Sequence, residues 1–127
     1  MSDAWSRPDI DTRLDALRGL QRGWLDGEGE PIPEAHLATV REALYRLTAD
    51  APIPSPYIYP TPEGGLQAEW DIPGLGSIDV EFAPSGAVEA GATTATSETG
   101  MAGRIDDPAF LAALGRWVAA EIARGDP

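Results

Sequence analysis

Leu66-Gln-Ala-Glu-Trp-Asp-Ile72, the turn Pro73-Gly-Leu-Gly76, Ser77-Ile-Asp-Val-Glu-Phe82, the turn Pro84-Ser-Gly86 and Ala87-Val-Glu-Ala90 stand almost end to end. In each of the three longer runs apolar and polar residues alternate with a period of two. That is the signature of a strand with one buried face. Leu66, Ala68, Trp70 and Ile72 face one way; Gln67, Glu69 and Asp71 face the other. Ile78, Val80 and Phe82 alternate in the same way with Asp79 and Glu81. Short turns make the strands antiparallel, so the centre of the chain reads as a meander with one apolar face and one acidic face.

The burial pattern constrains the register, because a slip by one residue would turn apolar groups to water. Pairing Trp70 with Val80 places Glu69 opposite Glu81 and Asp71 opposite Asp79. Pairing Phe82 with Val88 places Glu81 opposite Glu89. Glu69, Glu81 and Glu89 then form a row across the sheet. A slip by two residues keeps the faces and offsets the row, so the face is the firmer expectation. No Lys or Arg occurs between Arg46 and Arg104. Like charges side by side cost stability, and Glu69, Asp71, Asp79, Glu81 and Glu89 are therefore the candidate partner-binding residues.

Outward from this centre, Pro56-Tyr-Ile-Tyr-Pro60 reads as a short first strand held to an edge by its prolines. A weaker strand runs from Ala87 to about Ala92. Residues 91–103 are small and polar; Thr93, Thr94 and Thr96 could extend the sheet, but the composition favours a mobile loop over 93–104. Tyr57 and Tyr59 share a face of the edge strand, which is a possible site for strand addition that Pro56 and Pro60 oppose.

Helical spacing appears on both sides. Ile10, Leu14 and Leu17 predict a helix over 9–21, capped by Asp9 or Asp11 and stopped by Gly23. Leu37, Val40, Leu44 and Leu47 predict a second, with Pro33 in its first turn and its end near Asp50, since Pro52 and Pro54 forbid continuation. Asp107 and Pro108 begin a third, whose apolar face carries Phe110, Leu111, Leu114, Trp117, Val118 and Ile122. The expected fold is α+β: two N-terminal helices, a three- or four-stranded antiparallel meander and a C-terminal helix, packed as two layers. Residues 1–127 read as one domain, with 1–8 a flexible tail.

The chain has 127 residues, 43% of them hydrophobic, and a formal charge of −12. All nine basic residues are Arg. That balance argues against nucleic acid and against anionic membranes as partners. It fits a basic protein partner. No cysteine is present, which excludes disulfides and thiolate metal sites. There is no apolar run of signal-peptide or membrane-spanning length, and the expected setting is the cytoplasm.

Chemical motifs are sparse. Asp26-Gly-Glu-Gly-Glu30 alternates acids with glycines, but Pro31 stands where a calcium loop of the EF-hand type needs Gly, and Leu37 where it needs Glu. The loop reads better as a helix connection with Trp24 folded back. The single His36 has no Cys or nucleophile motif beside it and reads as a surface residue at a helix start. Phosphate loops, nucleophile elbows and His-Glu-x-x-His helices are absent from the sequence. No catalytic residue, metal ligand or cofactor is assigned.

Leu17-Arg-Gly-Leu-Gln-Arg-Gly-Trp-Leu-Asp-Gly-Glu-Gly-Glu-Pro-Ile-Pro33, followed by Pro60-Thr-Pro-Glu-Gly-Gly-Leu-Gln-Ala-Glu-Trp70 and Ile78-Asp-Val-Glu-Phe82, resembles a widespread group of small bacterial proteins. They share a GW-DG-G-P-P loop before a helix and a hairpin of the form GG-x-x-x-E-W. The resemblance covers roughly residues 14–89. It implies a shared fold and an accessory role in mobile-element, toxin–antitoxin or phage-defence settings, and supplies no catalytic residues. Leu25 departs from the pattern, which often has Trp and Asp adjacent. The leading expectation is a non-enzymatic, acidic, antitoxin-like protein that binds a basic partner. The alternatives are a metal-dependent enzyme or sensor built on Glu69, Glu81 and Glu89, and a structural subunit of an oligomer.

Overall fold

The computed structural model describes residues 7–49 and 53–125. Trp5 and most of the tail expected over 1–8 lie outside them, as does Asp50. The described elements are α1 (Arg7–Leu17), α2 (Glu34–Ala49), β1 (Tyr57–Pro60), β2 (Leu66–Ile72), β3 (Gly76–Phe82), β4 (Ala87–Thr94), β5 (Glu98–Arg104) and α3 (Pro108–Ala123). The strands form one antiparallel meander in the order β1-β2-β3-β4-β5. The class is α+β, with three helices and five strands.

Alternation fixes the inner face. Ile58, Leu66, Ala68, Trp70, Ile72, Ile78, Val80, Phe82, Val88 and Ala92 are buried. They join one apolar cluster with Ile10 and Leu14 of α1, Leu37, Val40 and Leu44 of α2, and Leu111, Leu114 and Val118 of α3. Burying a side chain of this size contributes about 1.5–3 kcal/mol, so the apolar stripes hold the helices to the sheet. Gly115 lets α3 come close to α2, since a Cβ there would sit 3.2 Å from the Leu47 carbonyl oxygen.

Polar anchors complete the layers. The Trp70 indole N–H donates to the Pro54 carbonyl at 2.8 Å. Asp107 caps α3 by accepting from the Ala109 N–H at 3.0 Å, with Pro108 in the first turn. His36 is buried rather than at the surface, because it continues the stripe of Val40, Ala43 and Leu47. Its Nε2 lies 3.0 Å from the Phe82 carbonyl, and since a carbonyl only accepts, that nitrogen carries the proton. Trp24 does fold back: its indole donates to the Glu30 carbonyl at 2.9 Å. It covers Gly29, whose φ of 98° and contact with the ring both require glycine.

Three further expectations are corrected. The sheet has five strands, and β5 occupies most of the segment read as a mobile loop over 93–104. Thr94 and Ser97 close a tight turn, with the Thr94 N–H on the Ser97 carbonyl at 3.0 Å and their hydroxyls 2.9 Å apart. The first helix stops at Leu17, where the chain tightens into turns before Gly23 (φ 87°). The register of β2 on β3 differs by two residues, with Trp70 opposite Ile78 and Ala68 opposite Val80.

Candidate functional site: the outer face of the sheet

The register decides what the five candidate carboxylates can do together. On the face away from the helices, one row reads Tyr59, Gln67, Glu81, Glu89, Ala102 from β1 to β5. The next reads Tyr57, Glu69, Asp79, Gly91, Gly100, and a third reads Asp71, Ser77, Thr93, Glu98. The expected pair Glu81–Glu89 stands opposite as read. Glu69 does not face Glu81; it faces Asp79, and Asp71 faces Ser77. The carboxylates thus share a face as two staggered pairs, Glu69 with Asp79 and Glu81 with Glu89, and a separate Asp71, instead of one row of three.

The stagger creates a shallow depression of about 240 Å³ lined by Gln67, Asp79, Glu81, Glu89, Ala90 and Gly91. Gly91 is its floor. A Cβ at that position would stand 3.9 Å from Asp79 Oδ2, so any side chain there would begin to fill it. Asp79, Glu81 and Glu89 rim it, while Glu69 and Asp71 lie further along the face.

No described residue neutralises these groups. Glu69, Asp71, Asp79, Glu81 and Glu89 make no side-chain hydrogen bond or ion pair among the described residues. The ion pairs found there lie elsewhere: Arg18 with Asp15 and Glu34, Arg22 with Glu30, Arg104 with Asp106, and Arg124 with Glu121. Arg104 points to the outer side at the far corner of β5, and its Nη2 is held at 3.0 Å by the Ser85 carbonyl.

Among the described residues no group of three carboxylate or imidazole side chains is placed to hold a metal ion. With Glu69 in a different row from Glu81 and Glu89, the metal-binding alternative has no coordinating trio there.

Two residues belong to this face that the strand pattern had set apart. Tyr57 and Tyr59 are 55% and 42% exposed and stand directly opposite Glu69 and Gln67. Their membership was legible only once β1 was paired to β2. The edge of β1 itself is closed. Ile58 turns its carbonyl outward, where Arg13 Nε occupies it at 2.9 Å, and Pro60, at the next outward position, has no N–H to offer.

Compared with known proteins, the chain matches no family model, no curated protein and no solved structure. Among the described residues no helix is long and apolar enough to cross a membrane.

Proposed function

We propose that the chain is a non-catalytic binding protein that takes a basic protein partner on the outer face of its sheet. One observation carries the reading: Asp79, Glu81 and Glu89 rim a glycine-floored depression and no described cation pairs with any of them. Adjacent carboxylates repel until a cation sits between them. A guanidinium is the fitting cation, because it is planar, can take two carboxylates with paired hydrogen bonds, and stacks on aromatic rings. Tyr57 and Tyr59 offer such rings at the β1 end of the same face. The partner is then an Arg-rich surface, and the protein is an accessory or antitoxin-like factor of the cytoplasm.

Capture from an extract of the native host tests this. Immobilised native chain should retain a basic protein that the triple variant Asp79→Asn, Glu81→Gln, Glu89→Gln does not. Retention should fall as salt is raised, since exposed charges are screened within about 8 Å at physiological ionic strength. A partner held equally by both chains, or held equally at low and high salt, removes the acidic face from the mechanism.

A further inference from the structure

The two edges of the sheet are treated differently by the fold. At β1, Pro60 and Arg13 close the edge. At β5, among the described residues, only the last carbonyl, that of Arg104, is taken, by the Asp107 N–H. The bond from the Thr94 N–H to the Ser97 carbonyl at one end fixes which backbone groups of β5 point to β4, and the Ile105 N–H on the Gly86 carbonyl (2.8 Å) fixes it at the other. By alternation, Thr99, Met101 and Gly103 bond to β4, while Glu98, Gly100 and Ala102 turn both their N–H and C=O groups outward; Arg104 turns its N–H outward, and its carbonyl accepts from the Asp107 N–H at 3.2 Å. Seven residues without proline, small in the middle and exposed along most of their length, make an open template for another strand.

We infer that this edge pairs with the same edge of a second copy, antiparallel about a two-fold axis at Met101, so that two five-stranded sheets run on as one. The outward residues determine the register. Outward positions must face outward positions, and only an axis at Met101 places all four opposite one another: Glu98 against Arg104 of the second copy, Gly100 against Ala102, and the reverse of each. The strand is therefore self-complementary in charge as well as in backbone. Glu98 and Arg104 lie on the same outer face and would form a cross-strand ion pair twice over. Gly100 and Ala102 leave the centre without bulk. Arg104 is more than half exposed and its present contacts, to Asp106 at 3.3 Å and to the Ser85 carbonyl, are surface contacts.

A second feature lies along the same edge on the inner side. Met101 and Phe110 are only half-buried, and Phe110 lies over Gly103, where a Cβ would meet its ring at 2.4 Å. An isologous pairing through β5 brings Met101 of each copy to the two-fold axis, with Phe110 beside it. The acidic depression stays open on the other face of the joined sheet.

The test is the mass of the full chain by sedimentation equilibrium, with amide hydrogen exchange read by NMR at each concentration. The native chain should move from 13.4 kDa to twice that mass, and the Gly100 and Ala102 amides should become protected as it does. Ala102→Pro removes an N–H that the single chain does not use and should hold the protein at the lower mass. Glu98→Arg should weaken association about tenfold by turning both attractive pairs repulsive, and adding Arg104→Glu should restore it. Should Ala102→Pro fail to fold, the exposed Glu98→Arg substitution still decides. A native chain that keeps the single mass through the millimolar range overturns the inference. So does a dimer that persists in both variants, or one in which Gly100 and Ala102 exchange freely.

Discussion

Glu81→Gln should stabilise the protein. Glu81 and Glu89 are directly opposite, in a pair whose backbone groups bond to each other; such pairs have Cα atoms about 5.5 Å apart. Two unit charges about 6 Å apart repel by roughly 0.7 kcal/mol at the dielectric constant of water, and by more beside protein. Asp79, two residues along the same face, adds to the repulsion. Part of this persists in an unfolded chain of charge −12, which lowers the net effect. The expected gain is about 0.5–1 kcal/mol in unfolding free energy at low salt. Glutamine keeps the shape and the solubility, so packing is unchanged. Urea unfolding followed by tryptophan fluorescence measures the gain. In about 1 M salt, where screening acts within roughly 3 Å, most of it should vanish. Glu34→Gln is the control of opposite sign. Glu34 sits in the first turn of α2 and 2.7 Å from Arg18, so its loss should destabilise by about 0.5 kcal/mol. A Glu81→Gln variant no more stable than the native chain at low salt, or equally stabilised at both salt concentrations, would refute the unneutralised face.

Three further substitutions probe the frame that carries that face. Trp70→Phe strands the Pro54 carbonyl and leaves a void under the sheet; the midpoint of urea unfolding should fall by the equivalent of about 2–3 kcal/mol. Asp107→Ala removes the cap of α3 and should cost about 1 kcal/mol, read as a lower thermal midpoint with unchanged far-ultraviolet circular dichroism. Gly103→Ala forces the Phe110 ring away and should cost about 1–3 kcal/mol by overpacking, with the Phe110 ring resonances shifted in the NMR spectrum.

Alternation carried most of the fold. Leu66 to Phe82 names its own buried and exposed faces, and the three helical stripes needed no structure to be seen. The register between β2 and β3 did not follow, because a two-residue slip leaves every side chain on its face. The turn decides it. Pro73, Gly74 (φ 74°) and Leu75 alone join the strands, closed by the Leu75 N–H on the Ile72 carbonyl at 2.9 Å. Gly76 was the available signal: it opposes Ile72 and Thr94 within the sheet, where a Cβ would strike the Thr93 carbonyl. β5 left no periodic signal, since its core-facing residues are Thr99, Met101 and Gly103 and the apolar cover over Gly103 comes from Phe110 in a helix. His36 was legible in principle, being spaced from Val40, Ala43 and Leu47 as a helix face requires. Of the site, the acidic face was readable; the depression was not, because it depends on Gly91 falling beside Asp79.

The most direct measurement is an NMR titration of the isotope-labelled chain with a short Arg-rich peptide at low salt. The account predicts that the amide signals of Ala90 and Gly91 and those of their neighbours on β3 shift most, and that Asp79→Asn, Glu81→Gln, Glu89→Gln abolishes those shifts while leaving the spectrum folded. Shifts centred instead on the acidic loop of Asp26, Glu28 and Glu30, or shifts on β4 that survive the triple substitution, would contradict it.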